Sequence, residues 1–90
     1  MKIARRVLFY GQVQGVNFRR NVAELAAKSG ITGWIRNLED GSVEAHMEGE
    51  QEKVQITIQM CCTELFPARV EKYHSYEDAV EDLQGFSVIR

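Results

Sequence analysis

Ninety residues are enough for one domain around one core, spanning 1–90, and too few for a second. With 44% apolar and 27% charged residues, a single proline and no low-complexity run, the composition is that of a folded globular chain and argues against disorder. A net charge of −2 and an isoelectric point near 5.6 argue against general nucleic-acid binding, and no apolar run approaches the ~18–20 residues of a membrane span.

Met1-Lys2-Ile3-Ala4-Arg5-Arg6 does not read as a signal peptide, because no long apolar region precedes a small-residue cleavage site. Ile3 to Tyr10 reads as a first strand. Gly11-Gln-Val-Gln-Gly-Val-Asn-Phe-Arg19 follows as a strand-to-helix loop with glycines at Gly11 and Gly15. Backbone N–H groups of such a loop can converge into an anion-binding nest, and the helix start adds unpaired donors. Arg19 sits where that concavity opens, with a planar fork suited to phosphate oxygens. Two glycines and an arginine are weak evidence alone. No Gly-Lys-Ser/Thr follows, so this is no P-loop, and the dinucleotide fingerprint is absent as well.

A helix is expected from about Phe18, with Phe18, Val22, Leu25 and Ala26 on one face. Gly30 stops it. Ile31 to Asn37 is a second strand, and Asp40-Gly41 is a hairpin signal. Ser42 to Glu48 alternates as a third strand, with Val43, Ala45 and Met47 facing inward. Glu44, His46 and Glu48 are thereby expected on the solvent face, and Gly49 is expected to break the strand. A second helix runs from about Glu50 to Leu65, burying Val54, Ile58, Cys61 and Leu65. Phe66-Pro67 ends it, Ala68 to Tyr76 is a fourth strand, and Gly85 to Arg90 can add a short last one.

The adjacent Cys61 and Cys62 suit neither a disulfide framework nor a zinc site. Two free thiols fit a reducing cytoplasm, with packing rather than redox chemistry as their role. Neither His46 nor His74 has a partner at metal-ligand spacing, so no metal and no cofactor is expected. Charge is uneven: residues 1–37 carry seven basic side chains and one acidic, residues 38–90 four basic and twelve acidic. The basic part holds the glycine loop and would attract a small anion.

The order βαββαβ is the ferredoxin-like split-βαβ plan, an α+β fold with an antiparallel sheet and both helices on one face. Strands one and two then run parallel with one strand between them, so their C-terminal ends share an edge. Arg19 and Asn37, eighteen positions apart, can thus share a site. Spacing alone leaves Asn37 open between a turn residue and a site residue. Alternation puts Arg36 on the other face, Arg20 is adjacent and unassigned, and Trp34 reads as packing.

Gly11-Gln-Val-Gln-Gly-Val-Asn-Phe-Arg19 resembles the first signature of the acylphosphatase family, and Gly33-Trp-Ile-Arg-Asn37 with Gly41-Ser-Val43 and Gly49 resembles the second. The resemblance covers nearly the whole chain. It implies a metal-independent hydrolase of acyl phosphates, releasing carboxylate and inorganic phosphate. It implies that Gly15, Val16, Asn17, Phe18 and Arg19 form the cradle for the substrate phosphate, which would also take a free phosphate or sulfate ion. Arg19 matches the phosphate-binding arginine and Asn37 the asparagine that positions the attacking water. The expected partner is a small acyl phosphate, not nucleic acid or membrane, and the expected state is a cytoplasmic monomer. Gln12 stands where the family often has a basic residue, and Phe66 where it often has glycine before proline.

The chemistry is consistent with these residues. The leaving group of an acyl phosphate is a carboxylate of pKa ~4–5, which needs no general acid. Phosphoryl transfer then asks for positioning and charge neutralisation. An arginine with preorganised N–H donors supplies both. A non-catalytic module on the same fold is the alternative. An RNA-binding version would need stacking aromatics on its central strands, and Ser42 to Glu48 has none.

Overall fold

In the computed structural model, which describes residues 1–89, the chain forms β1 (Lys2–Gln12), α1 (Phe18–Lys28), β2 (Thr32–Asn37), β3 (Val43–Glu50), α2 (Gln51–Thr63), β4 (Arg69–Asp78) and β5 (Phe86–Ile89). The strands lie in the order β4-β1-β3-β2-β5. β3 pairs antiparallel with both β1 and β2, and β4 pairs antiparallel with β1. β4, β1, β3 and β2 thus form the antiparallel sheet expected, and β5 adds to its edge parallel to β2, which makes the five-stranded whole mixed. The last strand is where the sequence suggested, though its expected final residue, Arg90, lies outside the described residues.

Apolar side chains at alternate strand positions meet the helices on one face. Val7 and Phe9 of β1, Ile35 of β2, and Val43, Ala45 and Met47 of β3 pack with Phe18, Val22 and Ala26 of α1 and with Val54, Ile58 and Cys61 of α2. Phe9 and Phe18 meet edge to face at 5.3 Å, tying β1 to the start of α1. Burying each such ring contributes about 1.5–3 kcal/mol. Leu25 and Leu65, expected fully inside, are half-buried, while Thr57 is buried. α1 closes in a Schellman motif, with Ile31 N–H donating to Ala26 C=O at 2.8 Å and Gly30 N–H to Ala27 C=O. Burial, with Cys62 alongside, pushes the Cys61 thiol up to about 12, so it stays protonated at neutral pH.

The other face of β3 overturns an expectation. Glu44, His46 and Glu48 are buried, and His46 and Glu48 have no exposed surface. Periodicity separates two faces but does not say whether the polar one is covered. Here the 79–85 segment, which joins β4 to β5, lies over Glu48, the Trp34 ring stacks on His46, and the Arg6 and Arg36 guanidinium groups bind Glu44. Burial of these charges is sustained by pairing. His46 lies between Glu48 and Asp78 at 2.7 and 2.8 Å and is stacked on Trp34 at 5.9 Å. Gly49 does not break β3, which runs on to Glu50 opposite Lys2. Gly11 belongs to β1, at a bulge against β4, rather than to the loop.

Gly33 is fixed by the ladder. Its φ is +146°, and a Cβ there would fall 1.7 Å from the His46 carbonyl oxygen on β3. Gly33→Ala is expected to lower stability by more than about 2 kcal/mol, because neither backbone can yield without breaking pairing. A urea unfolding series would show it, and a midpoint equal to wild type would contradict this reading.

Candidate active site

β1 leaves the sheet at Gln12, and buried Val13 anchors the chain as it turns toward α1. Gly15 has φ +77° and Asn17 φ +60°, while Val16 between them is not left-handed. Alternating hands along a chain point successive N–H groups into one concavity. A Cβ at Gly15 would meet nothing within 4 Å, so the constraint there is its left-handed backbone. Val16 turns its side chain against the core, and Phe18 is buried beneath. The loop is therefore held from inside by Val13, Val16 and Phe18 while its backbone faces out.

Arg19 lies in the first turn of α1. Its Nη1 donates to the Ile89 carbonyl oxygen of β5 at 3.0 Å. That contact uses one of the five N–H donors of a guanidinium and leaves the rest of the fork for a ligand. Asn37 is the last residue of β2, with its side chain exposed. The register brings the two loops level: Val43 of β3 pairs with Phe9 of β1 on one side and with Asn37 on the other. Two strand spacings, about 10 Å, separate the strand ends.

Arg19 and Asn37 line one depression of about 400 Å³, together with Gly15, Asn17, Phe18 and Arg20. Val13 and Val88 complete its wall. It is lined by two arginines and, among the described residues, no carboxylate, which favours an anion. A larger groove of about 680 Å³ lies between α2 and the β1–β4 edge, bordered by Ile56, Met60 and Tyr73. Its cation, Arg5, is already bonded to Ser75 at 2.9 Å. Volume alone therefore does not mark the site.

Other candidates fall outside this depression or at its margin. Arg36 points to the helix-free face and binds Glu44 at 2.7 Å, as alternation implied. Arg20 reaches the rim and lies 3.6 Å from Glu24, one turn along α1. Trp34 packs on His46, and the guanidinium groups of Arg6 and Arg36 lie over its ring at 5.1 and 5.4 Å. Gln14 was not singled out from the sequence. Its amide donates to the carbonyl oxygens of Leu38 and Ser42, at 2.8 and 2.9 Å, tying the glycine loop to the hairpin turn after Asn37. Its place inside the glycine stretch was the only signal, and a glutamine there reads equally as a solvated loop residue. The turn is set by Asp40, whose carboxylate takes the Ser42 hydroxyl and backbone N–H and is thereby held below the usual range.

The family model described as acylphosphatase matches residues 5–88. An acylphosphatase of Thermoplasma volcanium is 43% identical over 90 residues, covering all of both chains. The structure of an acylphosphatase from Coxiella burnetii superposes with a TM-score of 0.92 at 33% identity, covering 98% of this chain and 93% of that one. The acylphosphatase of Bacillus subtilis gives 0.93 at 30% identity over the whole of both chains.

The Gln14 contacts have a measurable consequence. Gln14→Ala is expected to cost about 1 kcal/mol of stability and to speed amide hydrogen exchange at Gly15 to Asn17 while sparing α2. Unchanged exchange in the loop would show that Gln14 does not hold it.

Proposed function

The chain belongs to the acylphosphatase family, hydrolases that act on acyl phosphates, and from that premise we propose that the phosphoryl group sits on the N–H groups of Gly15 to Arg19, with the Arg19 guanidinium against its oxygens and Asn37 holding the water. The observation that carries this is the convergence of Arg19, Asn37 and the left-handed Gly15 and Asn17 on one depression lined by no described carboxylate. The substrate is a small carboxyl phosphate, and no metal or cofactor takes part. The free thiols Cys61 and Cys62 suit a reducing cytoplasm.

The reaction follows from where charge moves. Water attacks phosphorus, and the bond from phosphorus to the acyl oxygen breaks. Its electron pair leaves on the carboxylate, an anion stable at neutral pH. Charge on the equatorial oxygens is met by Arg19 and by N–H donors that are already aligned, so little reorganisation is needed. The Asn37 carbonyl accepts a hydrogen bond from the water, and its NH2 can donate another. An amide is too weak a base to remove the proton, which passes instead to a phosphate oxygen. The products are a carboxylate and inorganic phosphate.

The test is hydrolysis of benzoyl phosphate at neutral pH with a chelator present. Arg19→Ala is expected to lower kcat/KM at least about 10³-fold and to abolish inhibition by orthophosphate. Asn37→Ala is expected to lower kcat about 10²-fold or more while leaving orthophosphate inhibition in place, because only water placement is lost. Full turnover in Asn37→Ala would remove it from the mechanism. A folded wild type without turnover would sink the assignment.

A further inference from the structure

The helix-free face of the sheet carries a buried charged network that the reaction does not touch. Each ring nitrogen of His46 faces a carboxylate oxygen: Nε2 lies 2.7 Å from Glu48 Oε2, and Nδ1 lies 2.8 Å from Asp78 Oδ2. A neutral imidazole has one N–H and can satisfy only one of these, whereas an imidazolium donates to both. Around the ring, Arg6 of β1 binds Asp78 at 2.7 Å and Glu44 at 3.2 Å, and Arg36 of β2 binds Glu44. The cations Arg6, Arg36 and His46 then match the carboxylates Glu44, Glu48 and Asp78, and the balance holds only while His46 keeps its proton. From the segment that covers them, Glu81 and Asp82 are exposed, and Asp82 is held by Lys2 of β1 at 2.9 Å.

Glu48 also reaches beyond the network. Its Oε2 accepts the Glu81 N–H at 2.6 Å and its Oε1 accepts the Leu83 N–H at 3.2 Å. Two residues later the Gly85 carbonyl accepts the Gly33 N–H at 3.0 Å, and β5 begins alongside β2. β5 supplies Val88 to the wall of the depression and the Ile89 carbonyl that holds Arg19. A continuous set of contacts thus runs from His46 to the arginine, through Glu48, a strap of seven residues at 79–85, and a four-residue strand.

We infer that His46 and Glu48 are positioning residues for the reaction: their ion pair clamps the strap, the strap seats β5, and β5 orients Arg19. This rests on the role proposed above for Arg19. The chemistry gives the clamp a pH dependence. Burial disfavours the His46 cation, but its hydrogen bonds to Glu48 and Asp78 outweigh that and hold it above the ordinary histidine value. Glu48 and Asp78 are held below the ordinary carboxylate value by His46 and the strap N–H groups, and by His46, the Ala79 N–H and Arg6, in each case against burial. A raised histidine contributes its full stabilisation below about 6.5 and loses it as pH rises through the folded value. The clamp is therefore closed on the acid side and loosens toward alkaline pH.

The test follows three signals between pH 6 and 9. Proton NMR gives the His46 titration. Amide protection factors at Glu81 and Leu83 report the clamp. KM and kcat for benzoyl phosphate report the site. In wild type, protection at Leu83 is expected to fall tenfold or more as His46 loses its proton, and KM to rise in the same window with kcat less affected. Glu48→Gln keeps a carbonyl acceptor for the Leu83 N–H and puts an NH2 where Oε2 faced His46, so a neutral His46 can pair while the Glu81 contact is lost at every pH; the alkaline limbs of Leu83 protection and of KM should then flatten. Protection and KM that stay level through the His46 titration in wild type would overturn the inference. So would a KM limb unchanged in a folded Glu48→Gln variant. If wild type turns over no benzoyl phosphate at any pH, the catalytic reading fails, and the exchange data alone decide the clamp.

Discussion

The pairing of β3 between β1 and β2 is the constraint on which the molecule turns. Because β3 is antiparallel to both, its neighbours run parallel, and their carboxyl ends reach the same edge. Val43 marks the level at which they arrive, with Phe9 on one side and Asn37 on the other. The glycine loop and the hairpin turn leave the sheet there, and Gln14 joins them. A slip of one residue in the β2–β3 ladder would turn Asn37 to the helix-free face and bring Arg36 to the helix face in its place. Strand register, fixed by Val7, Phe9, Ala45 and Met47 against the helices, is thus also the geometry of the site.

The sheet has two buried faces made in different ways. The helix face is apolar and is held by packing. The opposite face has only a short strap to cover it, too little to bury a second apolar layer. The charges beneath are matched in sign and bonded to one another and to strap N–H groups, so burial costs them less than it would unpaired. The consequence is directional. Hydrogen bonds to defined backbone groups fix where the strap lies, which a greasy surface would not. The strap in turn decides where β5 meets α1.

Much of this was legible from residue order. Period-two alternation and the helical spacing of Phe18, Val22 and Ala26 gave the elements, and Asp40-Gly41 gave the hairpin. Right-handed crossovers then put Arg19 and Asn37 at one edge. What was hidden has identifiable causes. Glu44, His46 and Glu48 alternate as a solvated face would, and the 79–85 segment that lies over Glu48 has no periodicity because it binds through backbone N–H groups. Gly33 looked like one glycine of a motif, and only the ladder shows a carbonyl where its Cβ would be. Gln14 carries no signal beyond its place between two glycines. The parallel pairing of β5 could not be read from four residues, Phe86 to Ile89, that suit either direction.

The proposed chemistry stands or falls with a phosphate group seated on the loop between β1 and α1. Titration of the ¹⁵N-labelled protein with orthophosphate tests it without relying on turnover. The largest amide shifts are expected at Gly15 to Arg19, with the Arg19 side-chain N–H moving in step, and Arg19→Ala is expected to remove them. Shifts centred instead on the groove between α2 and β4, or a loop response that survives in Arg19→Ala, would contradict it.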